Sequence, residues 1–325
     1  MVDFTRYLLL LTNSKQTFFL YTRYMTKAEF ERKLQDYNLD QYLPQLSPHV
    51  RNTIRLYLTP TSEEEIKPGQ SKIGGLPDLP PNMEWVTETG VVKTKEKKLL
   101  FFSKETESLQ TKPLSFIAQI NLTEVAPFDT EHLLPLTGIL YFFYSAEQEA
   151  WGFDIQDKDK FKVLYFNGDL NTLRRAQAPD GLGPDALYGA CILTPVQEIS
   201  LPSYEHEAYH IFTEAESDLF FEHVYEDGNI NKLLGYSDNV QGEMELECEL
   251  VTNGLYCGDE SGYEDPKAQE LAPNAVHWQL LLQIDSNEDE CGMMWGDVGR
   301  LYFWIRKQDL LAKAFENSWL ILQCC

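Results

Sequence analysis

The chain has 325 residues, 43% of them hydrophobic and 13% aromatic, and this composition excludes an intrinsically disordered protein. Its net charge of −24 is concentrated in residues 191–325, which carry 26 acidic and 6 basic side chains. Such a charge repels nucleic-acid phosphates and anionic lipids, so we expect neither nucleic acid nor a membrane as a partner. It would attract a basic protein, although a solvated acidic face that keeps the protein soluble explains the charge equally well.

The cysteines indicate the cellular compartment. There are six, none in a Cys-x-x-Cys spacing, so the sequence suggests neither a zinc ribbon nor a redox pair. A chain of this size without a disulfide framework is typical of a reducing compartment, and we predict a cytoplasmic protein.

Residues 1–24 are interpreted as an upstream extension. Thr26 and Glu29 form a capping box, the pattern that begins a helix, so the folded part is expected to start there. The apolar stretch 8–11 is too short to span a membrane, which takes about 20 apolar residues.

Residues 25–58 are predicted to hold two helices and a strand. Helical spacing of apolar residues predicts a first helix that ends near Tyr37, and a second, short helix is expected at 39–46. The alternating residues 53–58 predict a strand.

The predicted first repeat, residues 59–190, opens with a loop rich in glycine and proline at 71–81. A charged insert at 93–112 follows, which we interpret as a hairpin or a mobile loop. Three buried strands come next without helical patterns between them, and this favours antiparallel pairing. They are predicted at 115–120, 138–144 and 161–166.

The predicted second repeat, residues 191–325, is strongly acidic and mixes helices with strands. Thr213 and Glu216 form another capping box. Residues 243–250 alternate like a strand but have the composition of a helix, and the Asn-Gly pair that follows favours the helix. Further helices are predicted at 213–226 and 308–315, and strands at 196–201, 278–284, 300–305 and 319–322.

The two halves repeat one another at offsets of 160, 164 and 161 residues. The matches are Gly75-Leu-Pro-Asp78 with Gly235-Tyr-Ser-Asp238, Gln119-Ile-Asn121 with Gln283-Ile-Asp285, and Gly138-Ile-Leu-Tyr-Phe-Phe143 with Gly299-Arg-Leu-Tyr-Phe-Trp304. Ordered matches at a nearly constant spacing predict an internal duplication. The expected fold class is therefore α+β, with duplicated antiparallel-sheet units and flanking helices in one compact body.

Longer motifs carry a family resemblance. They are Ser71-Lys-Ile-Gly-Gly-Leu-Pro-Asp-Leu-Pro80, Pro113-Leu-Ser-Phe-Ile-Ala-Gln-Ile-Asn121, Gly235 to Asp238, Asn253-Gly-Leu-Tyr-Cys-Gly258 and Gly292-Met-Met-Trp-Gly-Asp-Val-Gly-Arg-Leu-Tyr-Phe-Trp304. From about Met25 to Cys325 the chain resembles the YwqG-like family of uncharacterised bacterial proteins, a domain of unknown function. The resemblance implies an α+β fold and a cytoplasmic bacterial protein, and it supplies no catalytic residues. Residues 1–24 and 93–112 depart from the usual pattern of the family.

One segment, His206-Glu207-Ala208-Tyr209-His210, matches the His-Glu-x-x-His pattern of zinc hydrolases. On an α-helix the two imidazoles share one face and bind zinc, and the glutamate acts as general base. Here the space between Pro202 and Thr213 leaves room for at most two helical turns. We therefore favour a surface linker and expect no cofactor. A zinc site with His206 and His210 as ligands and Glu207 as base is kept as an alternative.

Asp78, Gln119, Asp238 and Gln283 are expected at equivalent positions of the two repeats. Facing a shared groove, their carboxylates and amides would bind a cation or a basic side chain. The alternative, which we favour, is that each aspartate caps its own turn and each glutamine satisfies backbone groups at a strand end.

A candidate recognition loop is Trp295-Gly296-Asp297, which follows Met293 and Met294. Glycine next to large, adaptable side chains suits contact with a partner. The alternative, which is somewhat favoured, is a hairpin whose tryptophan packs into the core.

Together these features favour a non-catalytic intracellular binding module that engages a basic protein, in an immunity-type or similar interaction role. The acidic second half or the groove between the repeats would form the contact. A zinc-dependent hydrolase is one alternative, and a small-ligand-binding protein with a groove between the repeats is another. The sequence carries no signal of an oligomeric state.

Overall fold

A ten-stranded antiparallel sheet organises the molecule, with helices and two separate two-stranded sheets around it. The computed structural model describes residues 25–99, 102–225 and 230–325, which form one compact body of mixed helix and strand. The predicted extension, residues 1–24, lies outside the described residues. None of the helices in the described ranges is both long and apolar enough to cross a membrane.

Fourteen strands and nine α-helices lie in this described part of the chain. The strands are β1 (Arg51–Pro60), β2 (Lys72–Ile73), β3 (Asp78–Leu79), β4 (Thr87–Leu99), β5 (Phe102–Pro113), β6 (Ser115–Asn121), β7 (Ile139–Tyr144), β8 (Phe161–Phe166), β9 (Arg174–Arg175), β10 (Cys191–Ser200), β11 (Lys232–Leu233), β12 (Trp278–Asp285), β13 (Arg300–Arg306) and β14 (Trp319–Gln323). The helices are α1 (Lys27–Asp36), α2 (Leu43–Leu46), α3 (Leu122–Val125), α4 (Glu214–His223), α5 (Glu245–Thr252), α6 (Ser261–Glu264), α7 (Pro266–Leu271), α8 (Glu288–Cys291) and α9 (Lys307–Ala312).

The large sheet is symmetric in its strand order about the central pair β1 and β10. The order is β14-β13-β12-β11-β1-β10-β2-β6-β7-β8. The central strands pair over ten residues each, from Arg51 opposite Ser200 to Pro60 opposite Cys191. Outward from this pair, each side continues with a two-residue strand and then three longer strands. The ladder of each side is interrupted by a bulge, between Phe116 and Ala118 in β6 and between Leu280 and Leu282 in β12.

The two ends of the sheet curl towards one another. Phe142 of β7 packs against Phe303 of β13 with ring centroids 5.0 Å apart, and Phe161 of β8 packs against Trp319 of β14 at 5.4 Å. The indole Nε1 of Trp319 donates a hydrogen bond of 2.8 Å to the carbonyl of Gly152. The sheet is therefore nearly closed, and the side chains it encloses form the main core.

A second, smaller core joins the N-terminal helix to the second half of the sequence. Phe30 and Leu34 of α1 and Phe220 of α4 are fully buried there, together with Val224. The first predicted helix, α1, thus packs on α4, which follows β10 in the chain.

Most predicted elements are present, and some details are decided by the structure. Residues 245–252 form a helix, as the Asn-Gly stop favoured. The charged insert at 93–112 lies within the β4–β5 hairpin, which was one of its two predicted forms. Thr213 and Glu216 form a complete capping box at α4. Thr26 caps α1 by accepting from the N–H of Glu29 at 3.1 Å.

The predicted start of the strand at residue 196 is wrong, because β10 begins at Cys191 and its ladder with β1 continues through Pro195. The N–H of Leu193 donates towards β2, to the carbonyl of Ser71, so the nitrogen of Pro195 faces the same side. There β2 has already ended, since it pairs only with Cys191 and Ile192. The missing N–H of the proline therefore breaks no ladder hydrogen bond.

Two predicted helix ends are also wrong. The helix expected at 308–315 ends at Ala312, because Lys313 adopts a left-handed conformation with φ of 61°. The helix expected at 213–226 ends at His223, and residue 226 itself lies outside the described residues.

Gly74 is a position where a side chain does not fit. Its φ is +66°, and an added Cβ would lie 2.0 Å from the carbonyl oxygen of Gly189. We expect Gly74→Ala to lower the free energy of unfolding by about 3 kcal/mol or more, because backbone strain of about 1–2 kcal/mol adds to the clash. Gly254→Ala is the matched control: its φ is +88°, but nothing lies within 4 Å of the added Cβ. Chemical denaturation compares the two, and equal losses would contradict the packing argument.

Candidate functional site

A left-handed turn precedes each of the two predicted aspartates. Gly74 and Gly75 have φ values of +66° and +68°, and Leu234 and Gly235 have +60° and +75°. A leucine in this conformation costs about 1–2 kcal/mol. The turn of the second half therefore has an unfavourable conformational free energy at Leu234. In both halves the turn leads the chain from a two-residue strand to the aspartate.

The first Asp–Gln network consists of Lys72, Asp78, Gln119 and Tyr141. The N–H of Asp78 donates to Gln119 Oε1 at 2.8 Å, and Gln119 Nε2 donates back to Asp78 Oδ2 at 2.7 Å. The hydroxyl of Tyr141 donates to the carbonyl of Asp78 at 2.6 Å. The ammonium of Lys72 lies 3.8 Å from Asp78 Oδ2. All four residues are fully buried.

The second Asp–Gln network consists of Lys232, Asp238, Gln283 and Tyr302, and its aspartate, glutamine and tyrosine have the same hydrogen bonds. The lysines differ, because Lys72 lies closer to the Glu63 carboxylate, at 3.3 Å, than to Asp78. The N–H of Asp238 donates to Gln283 Oε1 at 2.9 Å, and Gln283 Nε2 donates to Asp238 Oδ2 at 2.9 Å. The Tyr302 hydroxyl donates to the carbonyl of Asp238 at 2.6 Å. Lys232 Nζ lies 2.6 Å from Asp238 Oδ2.

The structure therefore brings each predicted aspartate to its own glutamine, in two separate networks. The strands that carry Lys72 and Lys232 are separated in the sheet by β10 and β1, which is about 14 Å at the usual strand spacing. The two carboxylates do not line one groove. Sequence reasoning missed the two lysines, although they are 160 residues apart, the same offset as the aspartates.

Burial is what makes each lysine depend on its aspartate. Burial lowers the pKa of Lys72 to about 8, and the charge of Asp78 opposes that shift. Burial likewise lowers the pKa of Lys232, opposed by the charge and hydrogen bond of Asp238. A buried ammonium without a partner costs several kcal/mol, so Lys232 requires Asp238, and Lys72 requires Asp78 together with Glu63.

The two networks differ in whether an arginine binds the carboxylate of the aspartate. In the first half, Arg175 Nε donates to Asp78 Oδ1 at 2.6 Å. In the second half, Arg300 donates instead to Asp285 Oδ2 at 3.0 Å and to the main-chain carbonyl of Asp238 at 2.8 Å. No side chain or N–H of the described residues donates to Asp238 Oδ1. The Asp78 side chain is 0% exposed, whereas that of Asp238 is 15% exposed.

Asp238 faces a small cavity of about 90 Å³. The other residues that line this cavity belong to the segment after β10, to the end of α4, and to the residues after Asp238 itself; they are Ser203, Tyr204, Glu205, Tyr225, Asn239, Gln241 and Gly242. Among the described residues, no cation occupies the side of the second network that corresponds to the side closed by Arg175 in the first.

A larger cleft of about 330 Å³ lies next to this cavity. Its polar walls include Arg51, His206 and Glu245, and its aromatic walls are Tyr236 and Trp278. The guanidinium of Arg51 lies over the Tyr236 ring, 4.0 Å from its centroid. Burial raises the pKa of the Glu245 carboxyl. A volume of this size with a few convergent polar groups is typical of a small-molecule site.

Comparison with known families gives a result over most of the chain. Residues 71–324, more than three quarters of the sequence, match the family described as Domain of unknown function (DUF1963). The chain belongs to this family. The family carries no assigned activity, in agreement with what the sequence resemblance implied, whereas the YwqG-like name stays a prediction. A search of curated proteins found no match.

The His-Glu-x-x-His segment lies at the edge of the larger cleft. His206 precedes a single 3-10 turn, Glu207–Tyr209, and is not part of an α-helix. Its Nδ1 accepts a hydrogen bond from the N–H of Ala208 at 3.1 Å. Without an α-helix, the imidazoles of His206 and His210 lack the shared face on which the zinc alternative depends. Within residues 25–99, 102–225 and 230–325, no group of three side chains could hold a metal ion.

The predicted recognition loop is divided between core and surface. Trp295 is fully buried, its Nε1 donates to the carbonyl of Asp285 at 3.1 Å, and its ring meets those of Tyr144 and Tyr188 edge to face. The tryptophan thus packs in the core, as the alternative interpretation had it, and offers no surface to a partner. Asp297 is exposed.

The buried ammonium of Lys72 gives a prediction for stability against pH. Lys72 loses its proton near pH 8 in the folded protein and near pH 10.5 in the unfolded chain. Between these values the unfolded state binds more protons, so this group makes the wild type more stable as the pH rises. The difference in unfolding free energy between the wild type and Lys72→Met should therefore grow in favour of the wild type, by up to about 3 kcal/mol. Urea denaturation of both proteins across this window measures it, and a constant difference would refute the lowered pKa.

Proposed function

We propose that this chain is a non-catalytic binding protein that engages a basic partner through its second half. The observation that carries the proposal is the charge of the surface. Among the described residues of 191–325, 15 acidic side chains are exposed against three basic ones, Lys267, Lys307 and Lys313. A surface of one sign attracts partners of the opposite sign over roughly 10 Å at physiological ionic strength and raises their rate of association.

The proposal predicts that charge removal in the second half weakens partner capture. A triple variant, Glu260→Gln with Glu264→Gln and Glu270→Gln, removes three exposed carboxylates around α6 and α7. Proteins captured by the wild type from a cell extract at low salt should be basic, and they should be lost with this variant and at high salt.

The matched control removes the same charge from the first half. Glu64→Gln, Glu65→Gln and Glu84→Gln change three exposed carboxylates there. This control should retain the partners at low salt. Partners that bind all three proteins equally, or that survive high salt unchanged, would remove the electrostatic argument.

We also infer that the chain arose by duplication of one unit, which supports the division near residues 190 and 191. The supporting observation is that the hydrogen bonds among aspartate, glutamine and tyrosine repeat on either side of the central strand pair. In this interpretation β1 belongs to the first unit, at the position that β10 has in the second unit. The first unit therefore starts before residue 59. Each unit has exchanged a strand, since β1 pairs with β11 and β10 pairs with β2.

A second candidate function, small-ligand binding, is favoured by the 330 Å³ cleft. The proposal predicts that blocking the cleft abolishes binding. Val276 lines it and is 67% exposed, so Val276→Trp should fill the opening at little cost to stability. Metabolites that raise the melting temperature of the wild type should not raise that of this variant.

The control for this blocking variant is Leu136→Trp, at a residue that is 66% exposed and does not line the cleft. It should respond to the same metabolites as the wild type. A ligand that stabilises all three proteins to the same extent would place its site elsewhere.

A further inference from the structure

In the first half, the chain supplies its own cation to Asp78. β9 pairs antiparallel with β3, with Arg175 directly opposite Asp78. Besides its bond to Asp78 Oδ1, the Arg175 guanidinium donates to the carbonyls of Glu63 and Ile66, at 2.8 and 3.0 Å, and contacts the Glu63 carboxylate. The added strand is also bonded through its backbone, since the N–H of Ala176 donates to the carbonyl of Pro77 at 2.9 Å.

In the second half, the corresponding strand is missing from the described residues. Residues 237–239 follow the same turn and the same glutamine bond, but no described strand pairs with them. The carbonyl of Ser237, the equivalent of Pro77, accepts no hydrogen bond from the described residues, and neither does Asp238 Oδ1. Arg300 approaches from β13 and donates to the main-chain carbonyl of Asp238.

We propose that an arginine-bearing extended segment of the basic partner adds to residues 237–239, as β9 adds to β3, and places its guanidinium on Asp238. This inference rests on the proposed function and names the site and chemistry of the contact. It is strand addition at an open edge, in which main-chain hydrogen bonds provide affinity and one side chain provides specificity.

The surroundings of Asp238 suit this occupant. The cavity of about 90 Å³ beside it is lined by Ser203, Tyr204 and Glu205, from the segment that follows β10. In the first half, the segment that follows β1 supplies the carbonyls and carboxylate that hold Arg175. Glu205 is exposed and adds a second negative charge next to Asp238.

The chemistry favours arginine over lysine. In the first half one guanidinium reaches a carboxylate and two carbonyls at once, which requires several donors in a fixed planar arrangement. Arginine has this arrangement, whereas lysine has a single ammonium group. Lys232 already binds Asp238 Oδ2, so the guanidinium of the partner would bind the other carboxylate oxygen, Oδ1.

The experiment uses the protein's own β9 sequence as the probe. A labelled peptide of residues 170–178, Leu-Asn-Thr-Leu-Arg-Arg-Ala-Gln-Ala, is titrated with the full-length protein and followed by fluorescence anisotropy. Two modified peptides accompany it. One has citrulline in place of Arg175, which removes the charge and keeps the shape, and one has an N-methyl group on Ala176, which removes the N–H expected to bind Ser237.

Each modification is expected to weaken binding by about 10-fold or more, since a charge-assisted or partly buried hydrogen bond is lost. Asp238→Asn should weaken binding of the unmodified peptide by a similar factor. With this variant, the citrulline peptide and the unmodified peptide should bind with nearly the same affinity. Asp289→Asn is the matched control, because it removes the same charge from an exposed residue of the same half. It should leave the affinity within about twofold. Circular dichroism and thermal unfolding show whether Asp238→Asn is folded, and the two modified peptides decide the question with the wild type alone if it is not.

Failure of this inference is distinct from failure of the proposed function. Equal binding of the three peptides, or equal effects of Asp238→Asn and Asp289→Asn, would overturn the arginine site and leave an unspecific attraction to the acidic surface. Absence of peptide binding at low salt would also overturn it. Capture of basic proteins that is insensitive to the triple variant of Glu260, Glu264 and Glu270 would instead overturn the proposed function.

Discussion

The burial of one lysine in each half is the constraint on which the rest of the site depends. Lys72 and Lys232 lie on two-residue strands next to the centre of the sheet, where an unpaired ammonium is costly. Each aspartate forms an ion pair with its lysine. Each glutamine, on the neighbouring long strand, binds both the N–H and the carboxylate of the aspartate. A tyrosine one strand further donates a hydrogen bond to the carbonyl of the aspartate. The left-handed turn between lysine and aspartate is required because only a reversal of the chain brings the two together.

Much of the fold follows from local patterns. Strands such as β7 and β13 are almost entirely apolar, so they were predicted close to their observed bounds. Helix α4 begins with a capping box, so its start was predicted, although its end was not. The equivalence of Asp78 with Asp238 came from the repeated motifs. The two lysines were missed because a strand of two residues between glycine-rich loops has no periodicity. Arg175 was missed for a similar reason, since it lies in a long segment rich in glycine, proline and polar residues.

The pairing of the strands could not have been predicted from the sequence either. Apolar patterns indicate strands at β1 and β10, but nothing in these segments indicates that the two pair with one another, or that β1 also pairs with β11 and β10 with β2. The zinc motif shows a different kind of error, in which the residues match a motif but the backbone does not form the α-helix that the motif requires. His206 to His210 has the residues of a metal-binding helix, and the backbone there makes one 3-10 turn.

The central strand pair has a consequence for synthesis on the ribosome. β1 emerges before its partners, since its partner residues in β10 lie more than 130 positions later and those in β11 later still. At about 5–20 residues per second, that interval lasts roughly 7 seconds or longer. During this time both edges of the nascent strand lack their native neighbours, so final collapse must wait for translation to pass β11. A truncated message would therefore yield not one finished unit but a fragment with open edges, prone to pairing with other chains.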